Sequence, residues 1–157
     1  MSLLVRHAMT EDLQTAAPTD TAEDAARMME AADTGVIPVV EGEQLLGLIT
    51  DRDLALRVVA KGDDSSTPLR SLLTPSPLTV TPDMKLAEAQ ELMGSNQIRR
   101  LPVVKNDVLV GVLSLGDVAV AMASKREVGE ALEDISESAS TQPTADGPDP
   151  GTPERTR

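Results

Sequence analysis

The chain has 157 residues, a formal net charge of −12, no cysteine and no Phe, Tyr or Trp. This length suffices for one compact domain or for two small halves that share a core. The negative charge argues against binding to nucleic acids or anionic membranes, and the lack of aromatic side chains leaves nothing for bases to stack on. The absence of cysteine excludes disulfides and thiolate metal sites.

The first half of the chain predicts a short apolar segment, a helix, two strands and a second helix. A brief extended stretch runs from Thr15 to Pro18, and Asp20 with Glu23 fits a capping box ahead of an alanine-rich helix. The stretches "VIPVV" and "LLGLIT" are typical of buried strands joined by the turn "EGEQ". The final helix is predicted to begin near Asp51, so the predicted order is β-α-β-β-α.

The second half repeats this order at a shift of 64 residues without a gap. The extended stretch returns at Leu78 to Pro82, the strands return as "RLPVV" and "LVGVLS", and the last helix is predicted to begin near Leu115. Two copies indicate a pseudo-symmetric pair, because solenoids need three or more units. The residues that match at this shift include Arg6 and Arg70, Pro38 and Pro102, and Asp53 and Asp117.

Neither half is expected to close a core alone at roughly 60 residues. We therefore predict an α+β fold in which two β-α-β-β-α repeats pack sheet to sheet about a pseudo-twofold axis. Residues 1–66 are predicted to form the first repeat with its N-terminal segment and linker, and residues 67–126 the second. Residues 127–157 carry eight acids and two arginines, and we predict a mostly disordered acidic extension in which residues 127–135 prolong the last helix.

One phrase of the sequence, "GLITDRD", returns as "GVLSLGD". Its glycine lets another backbone or a ligand approach closely. Its hydroxyl lies where a strand gives way to a helix, beside N–H groups that attract anions. Its aspartate lies in the first helical turn and can accept hydrogen bonds from two vicinal hydroxyls. The phrase therefore favours a nucleotide site, with plain helix capping as the alternative. The residues concerned are Gly47, Thr50 and Asp53 in the first copy and Gly111, Ser114 and Asp117 in the second.

Each half resembles a CBS domain, and the pair resembles a tandem CBS module, also called a Bateman module. The resemblance covers about residues 3–125 and depends on "VIPVVEGEQLLGLITDRDL" and "RLPVVKNDVLVGVLSLGDV", preceded by "MTEDLQTAAPTDTAEDAARMM" and "LTPSPLTVTPDMKLAEAQELM". It implies a non-enzymatic regulatory module, commonly a homodimer, without a catalytic cofactor. It also implies an adenosine-containing ligand, such as AMP, ADP, ATP, S-adenosylmethionine or sometimes NAD, in clefts between the repeats.

Carried over by position, the resemblance implies two clefts that each combine residues of both repeats. One cleft combines Ser114 and Asp117 with Thr10, Thr15, Val36 and Ile37. The other combines Thr50 and Asp53 with Thr74, Thr79, Arg100 and Leu101. Arg52, Arg99 and Arg100 bring positive charge to this second cleft, which suits phosphates. The alternative is that these arginines are solvated or paired with neighbouring acids.

Two other classes of function stay open. A ligand-free dimer could act as a protein–protein interaction module, which the acidic tail favours. An enzyme has the least support, because the sequence shows no nucleophile elbow and no phosphate loop. His7 is the single histidine, so no zinc site is expected. No signal peptide and no transmembrane span are expected, and a cytoplasmic location is predicted.

Overall fold

A computed structural model of the chain describes residues 2–75 and 77–140, with side chains described as far as residue 133. Short 3-10 turns cover Val5–His7 and Leu69–Ser71, and a π-helical turn covers Ala55–Val59, directly after the four-residue helix Asp51–Leu54. The predicted α+β class is confirmed. The elements are α1 (Ala22–Ala32), β1 (Val36–Glu41), β2 (Gln44–Thr50), α2 (Asp51–Leu54), β3 (Thr74–Pro75), α3 (Leu86–Asn96), β4 (Arg100–Lys105), β5 (Val108–Ser114) and α4 (Leu115–Ser140).

Two antiparallel hairpins, β1–β2 and β4–β5, form the sheet in the order β1-β2-β5-β4, with Gln44 of β2 paired to Val108 of β5. Each hairpin closes with a two-residue turn. In the second turn Asn106 and Asp107 have φ values of 51° and 64°, the left-handed conformation that type I′ turns require and that Asn and Asp tolerate. The extended stretches predicted ahead of α1 and α3 form single parallel bridges, Ala16 to Val39 and Val80 to Val103.

The two repeats exchange their opening segments. The N–H of Leu69, in the second repeat, donates to the carbonyl of Asp20 in the first at 2.8 Å, and the N–H of Val5 donates to Met84 at 2.9 Å. These two bonds correspond at the 64-residue shift, as do many others, so the predicted pseudo-twofold relation is confirmed. The segment that opens each repeat therefore completes the other repeat.

The core of the first repeat is aliphatic and includes two leucines of the second. Leu69 and Leu72 lie in one buried cluster with Ala25, Ile37 and Ile49. In the second repeat, Leu86, Ala89, Met93, Leu101 and Leu113 are buried at the corresponding positions. Because each core depends on a segment from the other half, neither half is expected to fold alone.

The compact unit that holds both repeats extends to Ala121, and the described part of the chain from Met122 onward, the later turns of α4, forms a second unit. Residues 127–135 lie in α4, which continues to Ser140. The tail predicted to be disordered begins at residue 136: residues 136–140 instead form the end of α4, and residues 141–157 lie outside the described residues.

The capping box of α1 lies one residue later than predicted. Thr21, and not Asp20, is the N-cap: its Oγ1 accepts the N–H of Asp24 at 3.2 Å, and Asp24 Oδ2 accepts the N–H of Thr21 at 2.9 Å. The hydrogen bond from the Thr21 backbone lowers the pKa of Asp24. Asp20 instead accepts the N–H of Ala17 at 2.8 Å, because the chain has not yet turned into the helix at that position.

We expect Thr21→Ala to lower the free energy of unfolding by about 1 kcal/mol, since it removes the cap of α1. Chemical denaturation measures the change. Glu23→Ala is the control, because it removes only an exposed pair with Arg27 and should stay within about 0.5 kcal/mol of the parent. Equal effects of the two substitutions would contradict the assignment of the cap.

Candidate ligand-binding site

Both copies of the repeated phrase form a capping box at the start of a helix. Thr50 Oγ1 accepts the N–H of Asp53 at 3.1 Å, and Asp53 Oδ2 accepts the N–H of Thr50 at 3.0 Å. Ser114 and Asp117 exchange the same bonds at 3.0 and 3.4 Å. These bonds use one acceptor site of each hydroxyl and one oxygen of each carboxylate. The hydroxyl proton and the second carboxylate oxygen still have bonding capacity, so capping and ligand binding are compatible.

A cleft of about 800 Å³ opens at the first copy of the phrase. This volume lies in the range of small-molecule sites. Thr50 and Asp53 reach it from the β2–α2 junction, and Thr74 reaches it from β3, which pairs with β2. The predicted residues that line this larger cleft are Thr50, Arg52, Asp53, Thr74, Arg99 and Arg100.

A second, smaller cleft of about 270 Å³ opens at the other copy. Its lining includes the predicted residues Thr10, Val36, Ser114 and Asp117, together with Arg100. Thr10 forms a bridge with Val112 of β5, so the first repeat contributes a strand edge here as the second does in the larger cleft. The two clefts thus correspond at the 64-residue shift, and each draws on both repeats.

Four of the predicted residues do not line either cleft. The side chains of Ile37 and Leu101 are 0% exposed and belong to the interior, because alternate residues of β1 and β4 point to opposite faces. Thr15 and Thr79 are exposed and lie outside the linings of both clefts. The assignment of these four positions to the clefts stays a prediction.

Several lining residues escaped the sequence analysis. Asp33 and Gln97 end α1 and α3 in the left-handed conformation, with φ of 50° and 52°. This sharp exit places Asp33 at the smaller cleft and Gln97 at the larger. Asp12 also lines the smaller cleft, and Asp51 the larger. The 64-residue shift was the signal that could have indicated them, because it places Asp33 and Gln97 at equivalent positions of the two repeats.

The two clefts differ in charge. Three arginines (Arg52, Arg99, Arg100) and two carboxylates (Asp51, Asp53) line the larger cleft. One arginine (Arg100) and three carboxylates (Asp12, Asp33, Asp117) line the smaller. Anionic groups are therefore favoured in the larger cleft and disfavoured in the smaller.

Arg57 adds a second difference that the sequence analysis missed. Its guanidinium donates to the carbonyl of Leu72 at 2.5 Å and to Thr74 Oγ1 at 3.4 Å, and it lies 3.7 Å from Asp53 Oδ1. The position of Arg57 corresponds to Ala121 in the second repeat. Asp53 is therefore bonded to its own helix start and paired with an arginine that also donates to β3. Asp117 has no counterpart of this arginine.

Sequence comparison identifies the repeats. The CBS domain family matches residues 5–60 and 69–124. The chain belongs to the CBS domain family. The two matched CBS segments lie within the predicted repeats, 1–66 and 67–126. The CBS domain-containing protein YhcV of Bacillus subtilis (strain 168) is 42% identical over 132 residues, which are 84% of this chain and 94% of that protein.

Solved structures of CBS proteins share the fold. A putative acetoin utilization protein (AcuB) from Vibrio cholerae has a TM-score of 0.73 and 31% identity, over 83% of this chain and 98% of that one. CBSX2 in complex with AMP has a TM-score of 0.70 and 28% identity, over 79% and 98%. Among the residues that the structure describes, no helix combines the length and apolar character needed to span a membrane.

Proposed function

We propose that this CBS pair is a non-enzymatic regulatory sensor that binds an adenosine-containing ligand in the clefts between its repeats. The observation that supports this most directly is the twofold arrangement of the clefts. In each, a hydroxyl and a carboxylate of one repeat face the same cavity as a threonine and a strand edge of the other. A ligand that fills such a cleft contacts both repeats at once.

The chemistry of the larger cleft suits a ribose phosphate. Asp53 Oδ1, which takes no part in the capping box and lies 3.7 Å from Arg57, can accept hydrogen bonds from vicinal hydroxyls, and the Thr50 hydroxyl can donate to a phosphate oxygen. Arg52 and Arg99 are exposed arginines in the same lining, and guanidinium groups bind phosphates in a bidentate manner. The AMP complex of the relative CBSX2 supports an adenine nucleotide as the ligand.

The smaller cleft suits a ligand with less phosphate. Its three carboxylates repel a phosphate group, and its volume of about 270 Å³ lies just below the usual range of ligand sites. Adenosine, or a nucleoside with a positive charge such as S-adenosylmethionine, fits this lining better than ATP. No catalytic cofactor is part of the proposal.

A thermal-shift screen tests the proposal with AMP, ADP, ATP, S-adenosylmethionine and NAD. A ligand at about 100 times its Kd should stabilise the protein by roughly 2.7 kcal/mol, which corresponds to about 5–10 °C in Tm for a chain of this size. We expect at least one adenine nucleotide to give this shift. The absence of a shift with every adenosine compound would reject the sensor function.

A ligand-free interaction module is the second candidate. It is favoured by exposed apolar side chains on the helices that follow the strands, namely Leu56 (49% exposed), Val59 (77%) and Val120 (69%). Leu56 and Val120 correspond at the 64-residue shift, so the pair presents apolar groups with pseudo-twofold symmetry. This arrangement suits a homodimer, which we propose for either function, together with a cytoplasmic location.

A further inference from the structure

Arg100 belongs to both clefts. It is the first residue of β4 and pairs with Ser114 of β5, so it lies beside the capping box of the smaller cleft. Its side chain is half-buried and is part of the lining of the larger cleft as well. Near the larger cleft, Arg100 Nη2 and Asp51 Oδ2 lie 3.1 and 2.8 Å from the point that a Cβ on Gly35 would occupy.

The two clefts depend on Arg100 to different degrees. In the larger cleft Arg52 and Arg99 are also present. Among the described residues that line the smaller cleft, Arg100 is the one basic residue, against three carboxylates. Within the described part of the chain, no acidic group lies within 4 Å of its guanidinium, so a ligand phosphate meets no established ion pair in competing for it.

We propose that Arg100 couples the two clefts, so that a phosphate-bearing nucleotide in the larger cleft weakens phosphate binding in the smaller one. This inference rests on the proposed function. A guanidinium group that forms a bidentate bond with one phosphate has a fixed orientation and cannot present the same N–H fork to a second phosphate. When Arg100 turns to the larger cleft, the smaller cleft keeps only carboxylates as charged groups and repels a phosphate.

The coupling is specific for phosphate. A nucleoside without phosphate does not use the guanidinium, so its binding in the smaller cleft is independent of occupancy in the larger. The pair can therefore hold one nucleotide and one nucleoside at the same time, but it disfavours two nucleotides. The ligand state of the protein then depends on the ratio of phosphorylated to unphosphorylated adenosine compounds.

Isothermal titration calorimetry with AMP and with adenosine tests this. Asp53→Ala weakens AMP binding in the larger cleft by removing the ribose acceptor, and Arg52→Glu weakens it by charge while leaving the capping box intact. In the parent protein the second AMP molecule binds the smaller cleft while the larger cleft is already occupied. We expect AMP to bind the smaller cleft of either variant about 10-fold more tightly than this second molecule binds the parent. Such a factor lies within the usual range of coupling between sites. The affinity of the smaller cleft for adenosine should be the same in the variants and in the AMP-loaded parent.

Arg100→Gln should abolish this difference in the AMP affinity of the smaller cleft. AMP should then bind the smaller cleft equally weakly whether or not Asp53→Ala is also present. Arg99→Gln is the matched control: Arg99 lines the larger cleft alone, so its loss should weaken the first step and preserve the coupling. Thermal unfolding of each variant verifies that it is folded.

Three results would overturn the inference. The smaller cleft could bind AMP with the same affinity in the parent and in the two larger-cleft variants. AMP in the larger cleft could weaken the binding of adenosine in the smaller cleft as much as it weakens the binding of AMP, or the coupling could survive Arg100→Gln. In all three cases the ligand still binds, and the proposed function stands. If neither AMP nor adenosine gives heat or a thermal shift, the proposed function fails and this inference fails with it.

Discussion

Asp53→Ala is expected to lower the affinity of the larger cleft for AMP by about 10- to 100-fold. The carboxylate is oriented by the N–H of Thr50 on one oxygen and lies 3.7 Å from Arg57 on the other. A hydrogen bond to a charged group contributes about 1.5–3 kcal/mol, and about 1.4 kcal/mol corresponds to a factor of ten in Kd. Alanine supplies no acceptor for the ribose hydroxyls, so this contribution is lost.

Asp117→Ala should have a smaller effect on total AMP binding. The smaller cleft already repels phosphate through Asp12 and Asp33, so it contributes less to the AMP bound, and removing one carboxylate also removes part of that repulsion. Calorimetric titration of both variants measures the difference. Equal losses of affinity in Asp53→Ala and Asp117→Ala would contradict the asymmetry of the clefts.

A matched control separates binding from helix capping. Asp24 forms the same capping box at α1 but lines neither cleft. Asp24→Ala should therefore lower the stability of the protein without changing the affinity for AMP. If Asp24→Ala weakens AMP binding as much as Asp53→Ala does, the role of Asp53 is structural, and the carboxylate does not bind the ligand.

Gly47→Ala is expected to destabilise the protein by about 3 kcal/mol or more, at the upper end of the cost of overpacking. A Cβ at this position would lie 2.3 Å from the carbonyl oxygen of Thr74 and 2.7 Å from Leu73 Cδ1. The obstacle is backbone, since β3 pairs with β2 at Gly47 and Leu48. The added methyl group must push β3 away, and it then also displaces Thr74 from the larger cleft.

Alanine substitutions at two other glycines serve as comparisons for Gly47→Ala. Gly111→Ala should cost less, because the added atom meets the flexible Met9 side chain at 3.0 Å as well as the Thr10 carbonyl oxygen at 3.0 Å. Gly94 lies in α3, and apart from its chain neighbours and the backbone of its own helix no described atom lies within 4 Å of a Cβ added there. Gly94→Ala should therefore stabilise the protein by about 0.5–1 kcal/mol. Denaturant unfolding gives all three values. A Gly47→Ala protein as stable as the parent would show that β3 does not lie against β2.

The local features of the fold could be read from the sequence. The 64-residue shift predicted the repeat, and the phrase with Thr50 and Asp53 predicted a helix start that the hydrogen bonds reproduce. The strands "VIPVV" and "RLPVV" were recognisable because buried strands are short runs of branched apolar residues. These features depend on contacts among residues close together in the chain, so the pattern of residue types carries them.

Long-range packing settled the rest. The sequence did not show that Leu69 completes the core of the first repeat, because an apolar segment can pack on either half with the same local pattern. It did not show that Ile37 and Leu101 face inward. It also did not show that Arg57, in the π-helical turn after α2, donates to Thr74 of β3. Nor did it show that Arg100 serves both clefts. These outcomes depend on contacts between residues far apart in the chain, which a local pattern of residue types does not determine.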